Sequence, residues 1–559
     1  MHARTEIVAN GLEAAAQEMC ASLIRTAYSP NVKERADCST AICDMAGRTL
    51  ALATHAPMHL GSTLRLVEAI LARFPIGGLR AGDVFFANDP FIVGVTHLND
   101  CTAAAPVFLD GRPIAFVVAV AHHSDVGGRV PGSESGDSTS IFQEGLRVPP
   151  IRLYEAGVLR ADLWELFLLN SRTPHFSEGD LRAQTAALDR GIQRARELHR
   201  RFGIEETASA IAAMLDATER RARERIGALL RPGTYRAEDW LDEDGATGKP
   251  VRLCVAATVN RDGIIFDFSG SEAQLGSGKN VPLTHTMATV YYCTKAILDP
   301  QVSINEGLYR TVRVIAPEGT VVNPRPPAGV SSRGLTSMIL ADVLLEALGQ
   351  AAPARATACG GPFQGIILSG WDRRHGRFFV DYENFAGGHG ASRDADGMDA
   401  TQLHMTNTSN LPIEAMEIEF PVRVERYELA ARSGGEGRRR GGLGIRRELR
   451  ILDDGVSIAC RSARQRFAAR GLSGGGAGGL GAFLVVTPDG ATVPLPGTLS
   501  DHPLARGDLV RIVTPGGGGF GPPAAREPSL VARDTREGKI LDDRDRSAAV
   551  AAAAETEVA

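Results

Sequence analysis

The sequence predicts a mixed α/β (α+β), multidomain fold, and three observations support this prediction. The chain has 559 residues, 43% of them hydrophobic and 23% charged, which is the composition of a globular protein with room for several hydrophobic cores. Helical and strand-like hydrophobic periods alternate through the first 420 residues. Beyond them, short apolar runs separated by glycine-rich turns indicate a β-rich C-terminal region.

Changes in this pattern divide the chain into four predicted regions. An α/β region spans residues 1–232, and a mixed α/β region spans residues 233–420. The β-rich region spans residues 421–523. Residues 524–559 are charged and then alanine-rich, so we expect a flexible tail that contributes little to a core.

The first region opens with an amphipathic helix, because apolar residues recur at helical spacing between Thr5 and Tyr28. A hairpin follows, since two β-like runs flank Asp44-Met45-Ala46-Gly47, a four-residue turn with Asp first and Gly last. The later elements predicted here are a helix over Thr63–Phe74 capped by Ser62, a strand over Gly82–Asn88, and helices over Leu163–Leu169, Gly179–Gln193 and Ile204–Leu230.

The stretch from Gly94 to Gly128 predicts a second hairpin, around which the first region is organised. Its two apolar runs are Cys101–Leu109 and Pro113–Val120. They flank Asp110-Gly111, a dipeptide that favours a two-residue turn because both turn positions require positive φ.

A regular ladder counted from that turn fixes which residues face one another. It sets Asn99 opposite His122. Because side chains alternate between faces, His97 shares a face with His122, and Asp100 shares one with His123. His97 and Asp100 can therefore join one site only if the segment between them is a turn.

Residues that can ligate a metal cluster at both open ends of this hairpin. His97 and Asp100 precede the first strand, and His122, His123 and Asp125 follow the second. Imidazole and carboxylate groups are common ligands of divalent metals. The hairpin therefore predicts a metal site, with a polar turn that binds no metal as the alternative.

Several other function classes lack their sequence signals. A net charge of −5 gives no indication of a nucleic-acid partner or a membrane surface. The eight cysteines are scattered without a C-x-x-C pair, which argues against structural zinc and a redox dithiol. No G-x-x-x-x-G-K-[ST] phosphate loop occurs, so ATP, if it is used, is expected on another chain. Without a signal-peptide pattern or an apolar run of 18 residues, we expect a cytoplasmic protein.

The remaining predicted elements lie in the second and third regions. Helices are predicted over Thr286–Leu298 and Leu335–Leu348. Strands are predicted over Val251–Val259, Gly263–Phe268, Val312–Ala316, Gly365–Ser369, Arg377–Asp381, Arg423–Leu429, Leu443–Leu452, Gly455–Ala459, Ala482–Val486 and Asp508–Thr514. The glycine runs at 387–390 and 516–519 are expected to form tight turns.

Seven segments carry a further signal. In chain order they are ERADCSTAICDMAGRTLALATHAPMHLGS, GDVFFANDPFIVGVTHLNDCTAAAPVF, AHHSDVGGRVPGS, QEGLRVPP, INEGLYRTVRVIAPEGTVVNPRPPAGVSSR, YENFAGGHG and VTPGGGGFGPP. Because of these segments, the chain resembles the hydantoinase B/oxoprolinase family from about Arg4 to Pro523. One departure is Val93, which stands where the family pattern has a glycine.

The resemblance implies a metal centre in the N-terminal region. The Asp of E-R-x-D-x-S, the His and Asp of H-L-x-D and the first His of the H-H pair correspond to Asp37, His97, Asp100 and His122. Such nitrogen and oxygen ligation suits zinc, manganese or iron. Asp44 is the alternative ligand if Asp37 is not one.

The resemblance also suggests three residues for catalytic or supporting roles. His59, in the A-P-x-H-L-G motif, is a candidate proton-transfer group, with a structural role as the alternative. His123 is expected to orient the metal centre rather than to join it. Glu144 is a candidate general base or substrate contact, or else a brace for the long loop that begins at Asp125.

As a whole, the resemblance implies the B-type subunit of an ATP-dependent cyclic-amide hydrolase. A separate hydantoinase A-type subunit is expected to bind ATP and Mg²⁺ and to phosphorylate a hydantoin, 5-oxoproline or lactam ring. Water then opens the activated ring at the metal centre of the present chain, so a hetero-oligomer is expected. Two alternatives remain: a component of an ATP-dependent ketone carboxylase, and a noncatalytic component that completes the partner's site.

Overall fold

The computed structural model describes residues 2–540, and its first region is a seven-stranded antiparallel sheet with helices packed on it. The helices are α1 (His2–Thr26), α2 (Pro30–Lys33), α3 (Leu66–Arg73), α4 (Ala161–Leu169), α5 (Pro174–Phe202) and α6 (Ile204–Leu229). The strands are β1 (Cys38–Cys43), β2 (Thr49–Thr54), β3 (Val84–Ala87), β4 (Asp100–Leu109), β5 (Arg112–His122), β6 (Ile151–Glu155) and β7 (Val158–Leu159). Their order is β2-β1-β5-β4-β3-β6-β7. Apolar residues of α1, α5 and α6 pack against β1, β4 and β5, so the central strands are buried.

The β4–β5 hairpin has the predicted turn but a different register at its open end. Asp110-Gly111 has φ values of 50° and 75°, as a two-residue turn requires. A β-bulge then inserts Ile114 as one extra residue in β5 and shifts every later pair by one position. Asp100, rather than Asn99, therefore lies opposite His122.

The second region is a four-stranded sheet covered by two long helices. Its strands are β8 (Gly233–Leu241), β9 (Val251–Asn260), β10 (Gly263–Asp267) and β11 (Val312–Ile315), in the order β11-β10-β9-β8. Its helices are α7 (Leu283–Leu298), α8 (Glu306–Tyr309) and α9 (Arg333–Ala351). By length and composition α9 is apolar enough to cross a membrane, but 83% of its apolar 18-residue stretch is buried against β8, β9 and α7.

Two further sheets share a core in the C-terminal half. Their strands are β12 (Gln364–Asp372), β13 (Arg377–Phe385), β14 (Val422–Leu429), β15 (Ile445–Ile451), β16 (Val456–Arg461), β17 (Ala482–Val486), β18 (Thr492–Leu495), β19 (Thr498–Leu504) and β20 (Leu509–Val513). Helix α10 (Ile413–Glu419) lies between β13 and β14 in the chain. The sheet orders are β13-β12-β16-β19 and β14-β15-β20-β17-β18. Since β12 pairs with β16, one sheet crosses the predicted boundary between residues 420 and 421.

Glycine runs from distant parts of the chain pack backbone against backbone, and they do not form the tight turns that we expected. This glycine core comprises residues 359–361, 387–390, 434–442, 471–479 and 516–519. Gly388 donates its N–H to the Pro515 carbonyl at 3.0 Å, and Gly517 donates to the Gly442 carbonyl at 2.9 Å. No glycine of 387–390 or 516–519 has a positive φ. A Cβ atom on Gly388 would lie 1.9 Å from the Gly442 oxygen, so close backbone approach is what requires glycine here.

Part of the predicted flexible tail is folded. Helix α11 (Pro528–Arg536) lies beside the glycine core, and its Asp534 is only 1% exposed. Arg526 joins Asp534 at 2.6 Å and Asp396 at 2.8 Å. Ion pairs rather than apolar packing therefore hold residues 524–540, which corrects the prediction for this part; residues 541–559 lie outside the described residues.

Candidate metal centre

The open end of the β4–β5 hairpin brings together the four residues predicted to bind metal. His97 lies in a turn before β4, where its carbonyl accepts the N–H of Asp100 at 3.2 Å. Asp100 is paired with His122 across the ladder. Asp37 precedes β1, and its carbonyl accepts the N–H of His122 at 3.1 Å. None of the four is more than 6% exposed.

His59 reaches the same cluster from a short 3-10 helix, Pro57–Thr63. Its Nε2 lies 3.4 Å from Asp100 Oδ1 and 3.6 Å from Asp37 Oδ1. Its Nδ1 lies 3.0 Å from Ser39 Oγ. The side chain suggested for proton transfer is therefore in reach of both carboxylates, and it is completely buried.

Five buried ligand atoms meet here without hydrogen bonds to any of residues 2–540. They are Asp37 Oδ1, His59 Nε2, His97 Nε2, Asp100 Oδ1 and His122 Nε2. The His97 and His122 rings are 5.0 Å apart, and His97 Nε2 is 3.2 Å from Asp100 Oδ1. An unsatisfied buried polar group costs about 1–3 kcal/mol, so five in one place indicate a ligand position. Imidazole nitrogens and carboxylate oxygens fit a zinc, manganese or iron ion.

The protonation states of His97, His122 and Asp100 suit a cation. Burial lowers the pKa of His122 well below its usual range. Burial and the nearby Arg333 guanidinium lower the pKa of His97 to about 4, so both rings offer a neutral lone pair. Burial opposes ionisation of Asp100, but His97 and His59 beside it hold its pKa well below the usual value. Burial raises the pKa of Asp37.

Glu134 lies beside Nδ1 of His97, the ring nitrogen that faces away from the cluster, without a hydrogen bond to it. Its Oε1 lies 3.2 Å from His97 Nδ1 and accepts from Arg333 Nη1 at 2.9 Å. Its Oε2 accepts from the Tyr382 hydroxyl at 2.9 Å and also contacts Arg461. A carboxylate on the second nitrogen orients a metal-binding imidazole and raises its basicity.

Asn31 lies beside Nδ1 of His122, just as Glu134 lies beside Nδ1 of His97. Asn31 Nδ2 lies 3.1 Å from His122 Nδ1, and Asn31 Oδ1 accepts from Arg35 Nη1 at 2.7 Å. A cation on His122 Nε2 requires the ring proton on Nδ1. The Asn31 amide must then turn its oxygen toward the ring and give up the bond to Arg35.

A second set of possible metal ligands lies at the same place. It consists of His97, His122 and Glu134, whose ligand atoms lie within 4.8 Å of one another. Both oxygens of Glu134 are, however, already engaged by Arg333 and Tyr382. The unpaired atoms of Asp37 and Asp100 are the better match for a cation.

Another group of potential ligands lies elsewhere and is satisfied by an arginine. Asp239, Asp342 and Cys359 have ligand atoms within 4.8 Å of one another. The buried Arg464 guanidinium bonds Asp239 at 2.8 Å and Asp342 at 2.9 Å. A positive charge is therefore already present between these carboxylates.

A narrow, largely enclosed cavity borders the cluster. Asp37 and His122 form one side of it. The other sides include Met58 and Phe363 as apolar walls and Tyr382 as a polar one. Its free volume is about 10 Å³, room for about one water molecule.

The structure places the side chain of His123 outside the cluster. Its Nε2 lies 3.1 Å from Gln184 Oε1, and its ring packs edge-on against Phe167 with centroids 5.5 Å apart. Successive side chains point to opposite faces, so His123 faces helix α5 while His122 faces the cluster.

Glu144 also lies outside the five-atom cluster, where its contacts match the bracing role. Its Oε1 accepts the backbone N–H groups of Val330 at 2.8 Å and Ser331 at 3.0 Å. These residues lead directly into α9. Glu144 therefore ties the long loop after β5 to the start of that helix.

Two further carboxylates accept hydrogen bonds from backbone N–H groups in turns. Asp125 accepts the N–H groups of Gly127 and Gly132 at 3.0 and 2.9 Å and pairs with Arg172 at 2.9 Å. Asp44 accepts the N–H of Arg48 at 2.9 Å within the β1–β2 turn. Asp44 is thus a turn-forming residue, as the sequence indicates.

Replacing Glu144 with glutamine is expected to flatten the pH dependence of stability. Burial raises the pKa of Glu144 from its usual 4.5 to about 8. Between those values only the unfolded chain ionises, so the wild type loses stability as the pH rises through this range. Glu144→Gln keeps the acceptor oxygen and stays neutral. In chemical unfolding its stability relative to wild type should increase from about pH 5 to about pH 8, and a constant difference would contradict this.

Sequence reasoning did not assign Glu134, Arg333, Tyr382 or Asn31 to the site. Arg333 and Tyr382 lie at the ends of segments that carry the family resemblance, and Glu134 directly follows one. The available signal was the charge of Arg333 at the start of an apolar helix. Nothing in one sequence shows, however, that Glu134 and Tyr382 meet across 248 positions.

Fold and site together define a mixed α/β, multidomain protein with a buried imidazole and carboxylate cluster beside a narrow cavity. The family model for hydantoinase B/oxoprolinase matches residues 1–523, and the chain belongs to this family.

Known proteins similar to this chain agree with that family. The chain is 32% identical to a putative B-type component of a D-/L-hydantoinase from Pseudomonas sp. (strain NS671), over 96% of this chain and 93% of the relative. The structure of an ATP-dependent caprolactamase from Pseudomonas jessenii superposes with a TM-score of 0.88 at 29% identity, covering 97% of this chain and 95% of the other. A nucleotide-free acetone carboxylase structure has the same fold, with a TM-score of 0.88 at 20% identity over 96% of this chain and 78% of the other.

Proposed function

We propose that this chain is the metal-bearing B-type subunit of an ATP-dependent hydrolase that opens a cyclic amide such as a hydantoin, 5-oxoproline or a lactam. The observation that carries the proposal is the meeting of five buried, unpaired imidazole and carboxylate atoms beside an enclosed cavity. Asp37, His97, Asp100 and His122 would hold a zinc, manganese or iron ion.

A divalent cation held here would act as a Lewis acid and would lower the pKa of a bound water toward about 7. The surrounding side chains have separate tasks. His59, in reach of both Asp37 and Asp100, holds or transfers a proton at its Nε2. Glu134 keeps the His97 ring aimed into the cluster.

ATP and Mg²⁺ are assigned to a hydantoinase A-type partner subunit in the cytoplasm. The chain contains no G-x-x-x-x-G-K-[ST] loop to cradle phosphates. Its relative from Pseudomonas sp. is named as one subunit of a hydantoinase, and the caprolactamase is described as ATP-dependent. These observations support a hetero-oligomer in which phosphorylation and ring opening occur in different subunits.

The test is to co-express the chain with the product of its neighbouring gene and to measure metal content and ATP turnover. Hydantoins, 5-oxoproline, lactams and ketones are screened with and without bicarbonate. We expect ring-dependent ATP hydrolysis that is independent of bicarbonate and is lost on chelation. Ring opening at an unchanged rate in a complex freed of metal would contradict the proposal and favour the noncatalytic alternative.

The second candidate function is ATP-dependent carboxylation of a ketone. This function is kept as a candidate because the chain shares its fold with acetone carboxylase. At 20% identity this likeness concerns the fold alone. ATP turnover that requires both a ketone and bicarbonate would replace the hydrolase with this activity.

A further inference from the structure

Two cysteines that are 18 positions apart in the sequence meet beneath helix α1. Cys20 lies on α1, and Cys38 is the first residue of β1. Their sulfur atoms are 3.9 Å apart, and both are free cysteines. The scattered positions of the cysteines in the sequence argue against a redox dithiol, but the fold brings these two together.

A small reagent can reach Cys20 from one side. Cys20 borders an open surface groove between α1 and β2, with a free volume of about 490 Å³. Gln17 and Arg25 of α1 line the same groove, and so does His55, which follows β2. Cys20 is 2% exposed and Cys38 is completely buried, so a reagent in the groove meets Cys20 first.

The neighbours of Cys20 favour its thiolate, which is the form of a cysteine that reacts with oxidants. The hydrogen bond with Cys38 and the nearby His55 lower the pKa of Cys20, although burial opposes this. By contrast, burial raises the pKa of Cys43, farther along β1, to about 12. Of these cysteines, Cys20 is therefore the one prepared for oxidation.

Cys38 stands between two residues that face the metal cluster. Asp37 Oδ1 lies 3.6 Å from His59 Nε2, and Ser39 Oγ lies 3.0 Å from His59 Nδ1. Because successive side chains of a strand point to opposite faces, Cys38 points the other way, into the core beneath α1. A pull on Cys38 toward α1 is therefore a pull on Asp37 away from the cluster.

Closing the cysteine pair into a disulfide requires a movement that is large on the scale of a metal site. The sulfur atoms must approach from 3.9 Å to about 2.05 Å. The distance from a metal ion to a ligand atom varies by only about 0.2 Å. A small part of the closing movement, passed to the residue before Cys38, is enough to disturb a ligand.

We propose that Cys20 and Cys38 form a disulfide when a hydroperoxide enters the groove, and that this bond weakens metal binding by drawing Asp37 out of the cluster. The metal-binding part of this inference rests on the ligands named in the proposed function. The pair would make the metal centre sensitive to oxidants, and a small thiol would restore it.

The chemistry takes two steps and needs no reagent besides the peroxide. The Cys20 thiolate attacks one oxygen of hydrogen peroxide and becomes a sulfenic acid, and the hydroxide that leaves takes up the proton that Cys20 gave up. The Cys38 thiol then attacks the sulfenic sulfur, so that the S–S bond forms and water leaves with the Cys38 proton. Two thiols are oxidised to one disulfide, and one peroxide is reduced to water.

The experiment treats the full-length, zinc-loaded protein with hydrogen peroxide, without ATP or substrate. Zinc is the probe because it has no redox chemistry of its own. We expect two fewer free thiols and a peptide map that joins Cys20 to Cys38, with fragmentation placing the link at Cys38 rather than Cys43. Zinc affinity, measured by competition with a chromogenic chelator, should fall at least about tenfold, and dithiothreitol should reverse both changes.

Cys20→Ser is the decisive variant, because it removes the sulfur atom on α1 and leaves the metal ligands in place. It should bind zinc like the wild type and keep it in peroxide. The control Cys254→Ser removes a partly buried cysteine of β9 and should lose zinc in peroxide as the wild type does. Melting temperatures of the reduced variants are compared, and Cys20→Ala replaces the serine variant if that one does not fold.

Three results would overturn the inference. They are a wild type in which both thiols stay free in peroxide, a disulfide form with unchanged zinc affinity, and equal loss of zinc by a folded Cys20→Ser. A complex that opens no ring, although its B-type chain forms the disulfide and loses zinc, would refute the proposed function alone. Ring opening by a complex whose B-type chain forms no disulfide would refute this inference alone.

Discussion

Replacing Asp100 with alanine is expected to abolish stoichiometric metal binding and ATP-coupled ring opening together. Asp100 is completely buried, and its Oδ1 lies 3.2 Å from His97 Nε2 and 3.4 Å from His59 Nε2. Without this carboxylate the site loses an anionic ligand, and Arg333, which lies 3.5 Å from Asp100 Oδ2, loses one of its two carboxylate neighbours and keeps Glu134. Metal affinity should fall by more than about 100-fold, since even outer partners of metal ligands contribute 10- to 100-fold.

The measurement is elemental analysis of the purified complex combined with its ATP turnover. The control is Asp44→Ala, because Asp44 lies in the β1–β2 turn and, among residues 2–540, its side chain bonds only turn atoms and Arg48. It should retain metal and activity at a small cost in stability. If Asp100→Ala kept its metal while Asp44→Ala lost it, the ligand assignment would be wrong.

Replacing Gly388 with alanine is expected to destabilise the protein strongly, although only one methyl group is added. That carbon would lie 1.9 Å from the Gly442 oxygen and 2.9 Å from the Gly517 nitrogen. Overpacking in a core costs about 1–3 kcal/mol when side chains can adjust. Here the neighbours are backbone atoms that cannot rotate away, so we expect about 3 kcal/mol or more, or failure to accumulate as soluble protein.

Chemical unfolding of the two variants Gly388→Ala and Gly276→Ala is the direct comparison. Gly276 is exposed, and a Cβ atom there meets nothing within 4 Å. It should be neutral or slightly stabilising, because alanine has fewer unfolded conformations than glycine. Equal stability of both variants would show that the glycine core tolerates side chains.

Local sequence patterns predict the turns and most elements of this fold, but not the register at the site. The Asp110-Gly111 turn follows from the conformational preference of two adjacent residues. The bulge at Ile114 depends on hydrogen bonds between two strands, so counting from the turn misplaces the open end by one residue. That single residue decides whether Asp100 or Asn99 faces His122.

Two of the elements that sequence reasoning missed are rich in charged residues. Strand β8 carries Arg236, Glu238 and Asp239 at the edge of its sheet, so its apolar alternation is weak. Helix α11 is held by ion pairs of Asp534 and gives no apolar pattern either. In the site, family motifs indicate Asp37 and His97, whereas the contact of Glu134 with Tyr382 depends on tertiary packing alone.

The glycine core also sets an order of events for the newly made chain. Residues 359–361, 387–390 and 434–442 make backbone hydrogen bonds to residues 515–520, which leave the ribosome more than 70 residues after the last of them. Until then the backbone groups that bond to residues 515–520 must hydrogen-bond to water, and the neighbouring strands that carry Tyr382 and Arg461 lack their final support. The wall of the cavity that contains Tyr382 and Arg461 is therefore expected to form after translation of the C-terminal half is complete. A chain that stops before residue 516 should leave the cavity open on that side.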